Sequence, residues 1–502
     1  MIDHFYHMNF NKQRGLQEQL KESLVSAILG GFFATNEPLP SCRKLSKQLS
    51  VSRNTVNLVY ESLLDNGYLV SRPRSGYFLH PRYAREGGFY ADLQSLPSLS
   101  TSGEKDVSEA AIDWSARFKL RPSSKHGVVR PIDWQRFAYP FIHGQPGGDL
   151  FPLDHWREAS RNILRRDNKQ EWLCDRLDRD DEMLIEQLRT RVLPKRGIWA
   201  RSSEVLITMG SQNALYLIAV MLMNETTRVA VENPGYRDAL NIFQLHGASM
   251  QLQPLDAHGM TLDENLTACD YIYLTPSHQV PTGITMSGQR RAELMERAKQ
   301  RDQIIIEDDY DAELNLDNQA VPALKANDYS GRVIYTGSFS KSFSPGLRIG
   351  YLVADTDLVD ELRALRRLMY RHPPLNNQRM LAEFLAQGYY DVHLRRFREQ
   401  HARRRDLLHD AINSDLGYCR QIGSPGANAF WLEAPNCVDT RKLAWAAAKK
   451  GVLIEYGEQF FFDQQTQQNN CMRLGLHAIE IERIVPGIRL LSRVLEDNHA
   501  FH

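Results

Sequence analysis

The stretch Ser338-Phe339-Ser340-Lys341-Ser342-Phe343-Ser344-Pro345-Gly346-Leu347-Arg348-Ile349-Gly350 decides how this chain is read. A lysine sits in a run of small hydroxyl residues. An apolar, strand-like segment, Arg332-Val333-Ile334-Tyr335-Thr336, leads into it, and an arginine follows seven residues after the lysine. Small residues let backbone approach a ligand closely, and hydroxyls with a guanidinium suit a phosphate. A lysine amine of lowered pKa condenses with an aldehyde to a Schiff base. Aldehyde and phosphate together describe pyridoxal phosphate (PLP), whose pyridine nitrogen needs a protein partner. Asp308, at the end of Ile304-Ile305-Ile306-Glu307-Asp308, is one carboxylate candidate. Taken alone, a lysine in a serine-rich loop is most often merely exposed. Its companions along the chain decide the matter.

Around this centre, an apolar run alternates with a helical pattern several times. The runs are Val205-Leu206-Ile207-Thr208, Arg228-Val229-Ala230-Val231, Tyr271-Ile272-Tyr273-Leu274, Ile304-Ile305-Ile306, Val333-Ile334-Tyr335 and Tyr351-Leu352-Val353. Short buried strands with long connections predict an α/β domain built on a mostly parallel sheet with helices on both faces. Ligands then sit beyond the carboxyl ends of the strands. Gly210-Ser211-Gln212 lies at one such end and opens a helix containing Leu215, Ile218, Ala219 and Leu222, where backbone N–H groups suit a phosphate. Glu232-Asn233-Pro234-Gly235-Tyr236 and Thr275-Pro276-Ser277-His278-Gln279-Val280-Pro281-Thr282-Gly283 follow two further strands. Asp309 and Asp311 are expected at solvent or as caps. His278 reads equally well as a structural histidine.

At 502 residues the chain has room for two or three domains. No apolar run approaches membrane-spanning length, and the N-terminus lacks a basic segment followed by an apolar core. The six cysteines are scattered, with no Cys-x-x-Cys, which argues against zinc sites and disulfide frameworks and for a cytoplasmic setting. Lys plus Arg and Asp plus Glu are both 61, yet residues 1–85 carry about +5 and the rest about −5. A basic N-terminal module on an acidic body suits a nucleic-acid contact.

That module has a layout. Leu16, Leu20, Leu24 and Ile28 mark one face of a helix that Gly30-Gly31 ends. Ser41 can cap a second helix carrying Leu45 and Leu49, and Ser52 a third with Val56, Val59, Tyr60, Leu63 and Leu64. Two strands then flank Ser71-Arg72-Pro73-Arg74-Ser75-Gly76. Helix, turn, helix and basic wing predict a DNA reader whose third helix enters the major groove by its first turn. Arg43, Ser52, Arg53, Asn54 and Thr55 lie on that surface; Arg53 and Asn54 can reach base edges, and Arg72 and Arg74 phosphates or the minor groove. Leu93 to Lys105 is rich in serine and proline and predicts a flexible tether. Trp114 and Trp134 are expected as core residues rather than docking points. The basic run from Arg395 to Arg405 is expected as a solvated helix face.

The lysine segment closely resembles that of the fold-type I aminotransferases, and especially of the MocR/GabR regulators, in which a winged helix-turn-helix is fused to an aminotransferase-like domain. Leu39-Pro40-Ser41-x-Arg43 and Ser52-Arg53-Asn54-Thr55-Val56, followed by Tyr60-Glu61-x-Leu63, resemble the GntR-type winged helix. The resemblance implies a winged helix over 13–81, a linker over 82–135, and over 136–502 a fold-type I PLP domain with a small C-terminal α+β subdomain. It implies that Lys341 holds PLP as a Schiff base and that Asp308 pairs with the pyridine nitrogen. Tyr310 then contacts the phenolic oxygen, and Tyr236 stacks on the ring. Gly210, Ser211, Gln212, Ser338 and Arg348 form the phosphate site. Arg473, in Cys471-Met472-Arg473-Leu474-Gly475-Leu476, grips the carboxylate of an amino-acid ligand; its plainer reading is a structural salt bridge. The partners implied are a double-stranded DNA operator, a small amine or amino-acid effector (or PLP itself), and a second copy in a head-to-tail homodimer, each DNA-binding module packing on the other subunit. The competing reading is a working PLP-dependent aminotransferase with an appended DNA-binding domain. Two departures weigh against turnover: Val280 stands where an asparagine precedes Pro-Thr-Gly in the enzymes, and Arg179-Asp180-Asp181-Glu182 replaces a Tyr-Gly-Asp-Pro-x-Gly turn. Arg179 can still reach a phosphate. A cofactor-free, structural large domain is disfavoured by the joint presence of Lys341, Asp308, Tyr310 and Arg348.

Overall fold

The computed structural model describes residues 15–29, 33, 37–73, 75–83, 112–125, 127–128, 131, 133–144, 150–165, 170–311, 321–424, 426–463 and 467–499. The chain forms two compact units that divide between Ala116 and Arg117.

The first unit is built on α1 (Leu16–Leu29), α2 (Cys42–Gln48), α3 (Arg53–Asp65) and an antiparallel hairpin of β1 (Leu69–Arg72) and β2 (Gly76–Leu79). Its core joins Leu20, Leu24, Ile28, Leu45, Leu49, Val56, Val59, Tyr60 and Leu63, at the helical spacing of the sequence. Leu16 lies at the exposed end of that stripe and Leu64 is only partly buried. Both cap assignments hold: Ser41 Oγ accepts from the Lys44 amide (3.3 Å) and Ser52 Oγ from the Thr55 amide (3.0 Å). Cys42 is buried beside its cap and does not disturb it. Tyr60, fully buried, donates its hydroxyl to the Pro40 carbonyl (2.8 Å) and ties α3 to the turn before α2. Gly30-Gly31 and Arg74 lie outside the described residues.

The second unit carries a seven-stranded sheet. In chain order its strands are β3 (Val205–Thr208), β4 (Arg228–Glu232), β5 (Ser249–Gln253), β6 (Tyr271–Leu274), β7 (Ile304–Asp309), β8 (Val333–Ser338) and β9 (Gly350–Val353); in space the order is β3-β9-β8-β7-β6-β4-β5. All neighbours pair in parallel except β9, which is antiparallel to both β8 and β3. The parallel strands are apolar on both sides because helices cover both faces, giving one core with β3, β9 and the helix Leu375–Ala386 and another with the helices Ser211–Leu222 and Arg237–Leu245. A four-stranded antiparallel sheet, β10 (Arg420–Ile422), β11 (Ala429–Glu433), β12 (Glu455–Tyr456) and β13 (Cys471–Gly475), forms the small subdomain with the helices Thr440–Lys449 and Ile484–His499. The long helix Tyr389–Asp415 serves both cores, placing Tyr390 and Phe397 in the larger and Leu408 and Ile412 in the smaller.

Four expectations change. Residues 117–135 group with the second unit rather than with a tether, while 84–111 lie outside the described residues. Trp114 is 62% exposed and Trp134 half-buried, so neither is a core residue. Asp309 and Asp311 are buried, at 4% and 3% exposure. Within the basic run on Tyr389–Asp415, Arg404 is buried, although Arg395, Arg396, Arg398 and Arg403 are exposed. Among the described residues no helix is long and apolar enough to cross a membrane.

Candidate functional site

Lys341 is held by its neighbours in sequence. Phe339 and Phe343, two positions to either side, are buried in the core, so the loop is anchored at both shoulders. Ser342 bonds the Tyr390 hydroxyl (2.7 Å), and the His393 Nε2–H donates to the Ser342 carbonyl (2.7 Å). Lys341 Nζ donates to the carbonyl of Gly144 (3.4 Å). Gly144 adopts φ +77°, and a Cβ there would overlap Nζ; backbone presses onto the lysine where only glycine fits.

Asp308 is the last residue but one of β7, its Cα paired with Thr336 of β8, the strand that leads to Lys341. Its carboxylate accepts from the Tyr273 hydroxyl (3.0 Å) and from Thr336 Oγ1 (3.2 Å). Burial pushes its pKa up to about 7 against these hydrogen bonds. Among the described residues no cationic side chain pairs with it, so Asp308 is a buried acid held by hydroxyl groups. Glu307 and Asp309 point to the other face, as strand alternation requires. Glu307 accepts from the Leu324 and Lys325 amides. Asp309 is ion-paired to Arg196 (2.8 Å) and accepts from Tyr335. Asp311 takes His278 Nδ1 (3.0 Å) on one oxygen and the Asn428 amide (3.0 Å) on the other, so His278 is a structural partner of this acid.

The phosphate-type cradle assembles from three segments. Arg348, at φ +52°, donates to the Met209 carbonyl (2.7 Å), beside Gly210. Gly350 permits this: a Cβ there would lie 2.7 Å from Gly210 Cα. The helix Ser211–Leu222 starts at Gly210 with no side-chain cap, leaving its first N–H groups for an anion. Gln212 is exposed and Ser211 half-buried, while Ser338 Oγ is occupied by Ser340 (3.0 Å). Tyr236 and Tyr310 pack on one apolar cluster with Val280, Trp431, Phe460, Phe461 and Cys471. Val280 is 7% exposed there and its side chain offers no hydrogen bond, in keeping with the departure noted in the sequence.

Arg473 projects from β13 between Trp431 of β11 and Glu455 of β12, its direct cross-strand neighbours. Its Nε donates to Glu455 (2.7 Å), and its guanidinium lies over the Phe460 ring at 4.6 Å. The salt bridge expected as the plainer reading is therefore present. It engages only Nε; among the described residues the terminal amino groups carry no hydrogen bond. The Arg179 region is organised by its acids instead. Asp180 is ion-paired to Arg366 and Arg363 (both 2.7 Å), and Asp181 caps a short helix and pairs with Arg379. Arg179 itself is exposed.

Sequence inspection missed Tyr273, Gly144 and a stack of buried histidines: His143 and His401 each lie 4.7 Å from the His477 ring, and His143 is 6.1 Å from Tyr310. Burial lowers the pKa of His401 to about 3 and of His477 well below the usual range, so these two rings stay neutral. In the first unit, Arg53 and Asn54 are exposed on the first turn of α3, and Arg43 is exposed on α2. The hydroxyls of Ser52 and Thr55 are bonded to each other (2.8 Å) within the cap. Arg72 is exposed at the hairpin with its guanidinium over Phe78 (4.4 Å).

Comparison with known proteins agrees with both halves. Residues 16–79 match the bacterial regulatory proteins of the gntR family, and residues 146–478 match aminotransferase class I and II. Over 96% of its length the chain is 37% identical to the HTH-type transcriptional regulator TauR of Rhodobacter capsulatus, covering 97% of that protein. It is 32% identical, over 95% of its length and 93% of the other's, to the probable rhizopine catabolism regulatory protein MocR of Rhizobium meliloti. Among solved structures, the α-aminoadipate aminotransferase LysN of Thermus thermophilus, in complex with N-(5'-phosphopyridoxyl)-L-leucine, superposes with a TM-score of 0.70 at 28% identity, over 78% of this chain and 100% of that one. The chain thus belongs to the MocR-type transcriptional regulators, a gntR-family DNA-binding domain joined in one polypeptide to an aminotransferase-like domain of class I and II.

Proposed function

We propose that this regulator takes PLP at Lys341 and that a small amine or amino acid meeting the cofactor there, or PLP itself, sets how the winged helix binds its operator. The observation that carries this is the conjunction at one end of the sheet: a lysine pressed against backbone, a buried acid held by two hydroxyl groups, and an arginine beside an uncapped helix start. When bound, PLP supplies an aldehyde that condenses with amines and a ring that withdraws electrons. Lys341 is the amine that holds it. Asp308 would hold a proton at the ring nitrogen, Arg348 and the amides after Gly210 would receive the phosphate, Tyr236 would stack on the ring and Tyr310 would reach its phenolic oxygen. Arg473, held flat by Phe460 and Glu455, presents its outer edge to a carboxylate. We further propose that the protein works as a homodimer. Titrating PLP into the purified protein tests the site: a lysine–cofactor absorbance band that amines then shift supports it, and no band removes it. Turnover with an amino donor and a keto acid separates sensor from enzyme. The buried Val280 supports a sensor, for which we expect no sustained product.

Asp308 gives a second test. The folded protein retains its proton up to about 7, whereas an unfolded aspartate releases it near ~3.9. Between those values the folded state binds the extra proton, so stability of the cofactor-free protein falls as pH rises. Asp308→Asn removes that dependence. The variant should gain on the wild type from pH 4 to 7, by roughly 4 kcal/mol at pH 8, while losing cofactor affinity. Urea unfolding of cofactor-free protein at pH 5 and pH 8 checks this; an equal gap at both would contradict it.

For DNA, Arg53→Ala should cost about 1–3 kcal/mol on a sequence selected from a random pool by the protein itself, and relax preference at one position. Arg72→Ala should weaken all sequences alike and reduce the salt dependence. Binding titrations at two salt concentrations distinguish the two behaviours.

A further inference from the structure

We infer that the end of the linker is one wall of the effector site, so that an effector bound beside Lys341 also holds the segment leading to the DNA-binding unit. This rests on the sensing role proposed above. Residues 117–128 follow the first unit directly in the chain and belong to the compact second unit. Three contacts fix their position there. Lys125 Nζ donates to Gln244 on the helix Arg237–Leu245 (2.9 Å). Gly127 lies so close to the start of that helix that a Cβ would sit 2.7 Å from Asp238 Oδ1. Val128 packs into the apolar cluster that contains Tyr236, Tyr310, Val280 and Phe460.

The cluster contains Tyr236 and Tyr310, both assigned to the cofactor site above, and Phe460, which touches Arg473. Tyr236 caps the helix that Lys125 and Gly127 lie against, and its hydroxyl bonds Asp238 (3.4 Å), the residue facing Gly127. Phe460 carries the Arg473 guanidinium on its face. A ligand lying against Tyr310 and Phe460 would meet Val128 as an apolar neighbour, because the three share one cluster. Burying Val128 further stabilises the linker end in its seat. Without the ligand, the seat is held by the exposed lysine contact, the glycine approach and the packing of Val128 alone. Occupancy of the site is in this way converted into immobility of a segment ten residues or so from the other unit's end.

The test uses full-length, PLP-loaded protein and three probe amines: glycine, β-alanine and 4-aminobutyrate. Two quantities are read with each, the shift of the cofactor band and the rate of tryptic cleavage after Lys125. In the wild type, the amine that shifts the band should slow cleavage at Lys125 several-fold. Gly127→Ala places a methyl against Asp238 Oδ1, so that either this carboxylate, bonded to Tyr236, or the strap must shift. It should keep the cofactor band and DNA affinity, raise the apparent Kd for that amine by about tenfold, and remove the protection. Val128→Ser, which leaves the backbone fit intact, should raise the Kd in the same direction by a smaller factor. If an amine shifts the band while cleavage at Lys125 and the Gly127→Ala affinity are both unchanged, the linker is no part of the site and the inference is overturned. If none of the three amines shifts the band of a protein that does bind PLP, amine sensing by these probes fails first, and the linker inference falls with it.

Discussion

Lys341→Ala should abolish the cofactor band and every response to amines while leaving DNA binding at the wild-type level. Lys341 follows the strand that pairs with the one carrying Asp308, and its removal would take away the covalent hold on the aldehyde. What remains is an acid, an arginine and helix amides, which bind phosphate and ring non-covalently; PLP affinity should drop by at least about tenfold. Folding should be little affected, because the loop is anchored by Phe339, Phe343 and the Ser342 contacts with Tyr390 and His393 rather than by the lysine. The variant is therefore a clean probe of whether sensing passes through this residue. Absorbance titration and an operator-binding assay on the same preparation check both halves. A variant that still changes its DNA affinity when amine is added would remove Lys341 from the sensing route.

Asp180→Ala should destabilise the aminotransferase-like unit by about 3–5 kcal/mol, the range for breaking a buried ion pair from one side. Asp180 is buried and holds two arginines, one of them Arg366 with no exposed side-chain surface. It also accepts from the Ile207 amide (3.3 Å) in β3. The substitution would leave Arg366 charged and buried with backbone carbonyls as its remaining partners. Because β3 leads directly to Gly210, the same variant should also loosen the phosphate cradle and weaken PLP retention. Denaturant unfolding followed by tryptophan fluorescence, with and without PLP, measures both effects. A loss under about 1 kcal/mol would show that the arginines find other partners.

The expectations that survived share a physical basis. Strands buried on both faces announce themselves as short apolar runs, and all six expected runs form the central sheet. The seventh strand, Ser249–Gln253, was not legible: it lies at the sheet edge, is mostly half-exposed and carries a mixed sequence. Ser41 and Ser52 were readable as caps because capping is local. The acids after β7 were not readable for the opposite reason. Asp309 meets Arg196 from 113 residues away and Asp311 meets His278 from 33, and a dense acidic run otherwise looks like solvent-facing loop. Glu455 is invisible as the partner of Arg473 until the small sheet is assembled in register. Residues 117–128 looked like tether because they lack periodicity, yet a glycine and a valine there find specific seats. Composition marks what cannot form regular structure; it does not mark what cannot dock.

The central claim is that DNA binding answers to the Lys341 site, and the most direct measurement is operator affinity of the full-length protein without PLP, with PLP, and with PLP plus a band-shifting amine. The account predicts that the affinity or the length of DNA protected differs between at least two of these states in the wild type and in none of them for Lys341→Ala. Identical DNA binding in all three wild-type states, together with sustained transamination, would contradict it and identify the chain as an enzyme that happens to carry a DNA-binding domain.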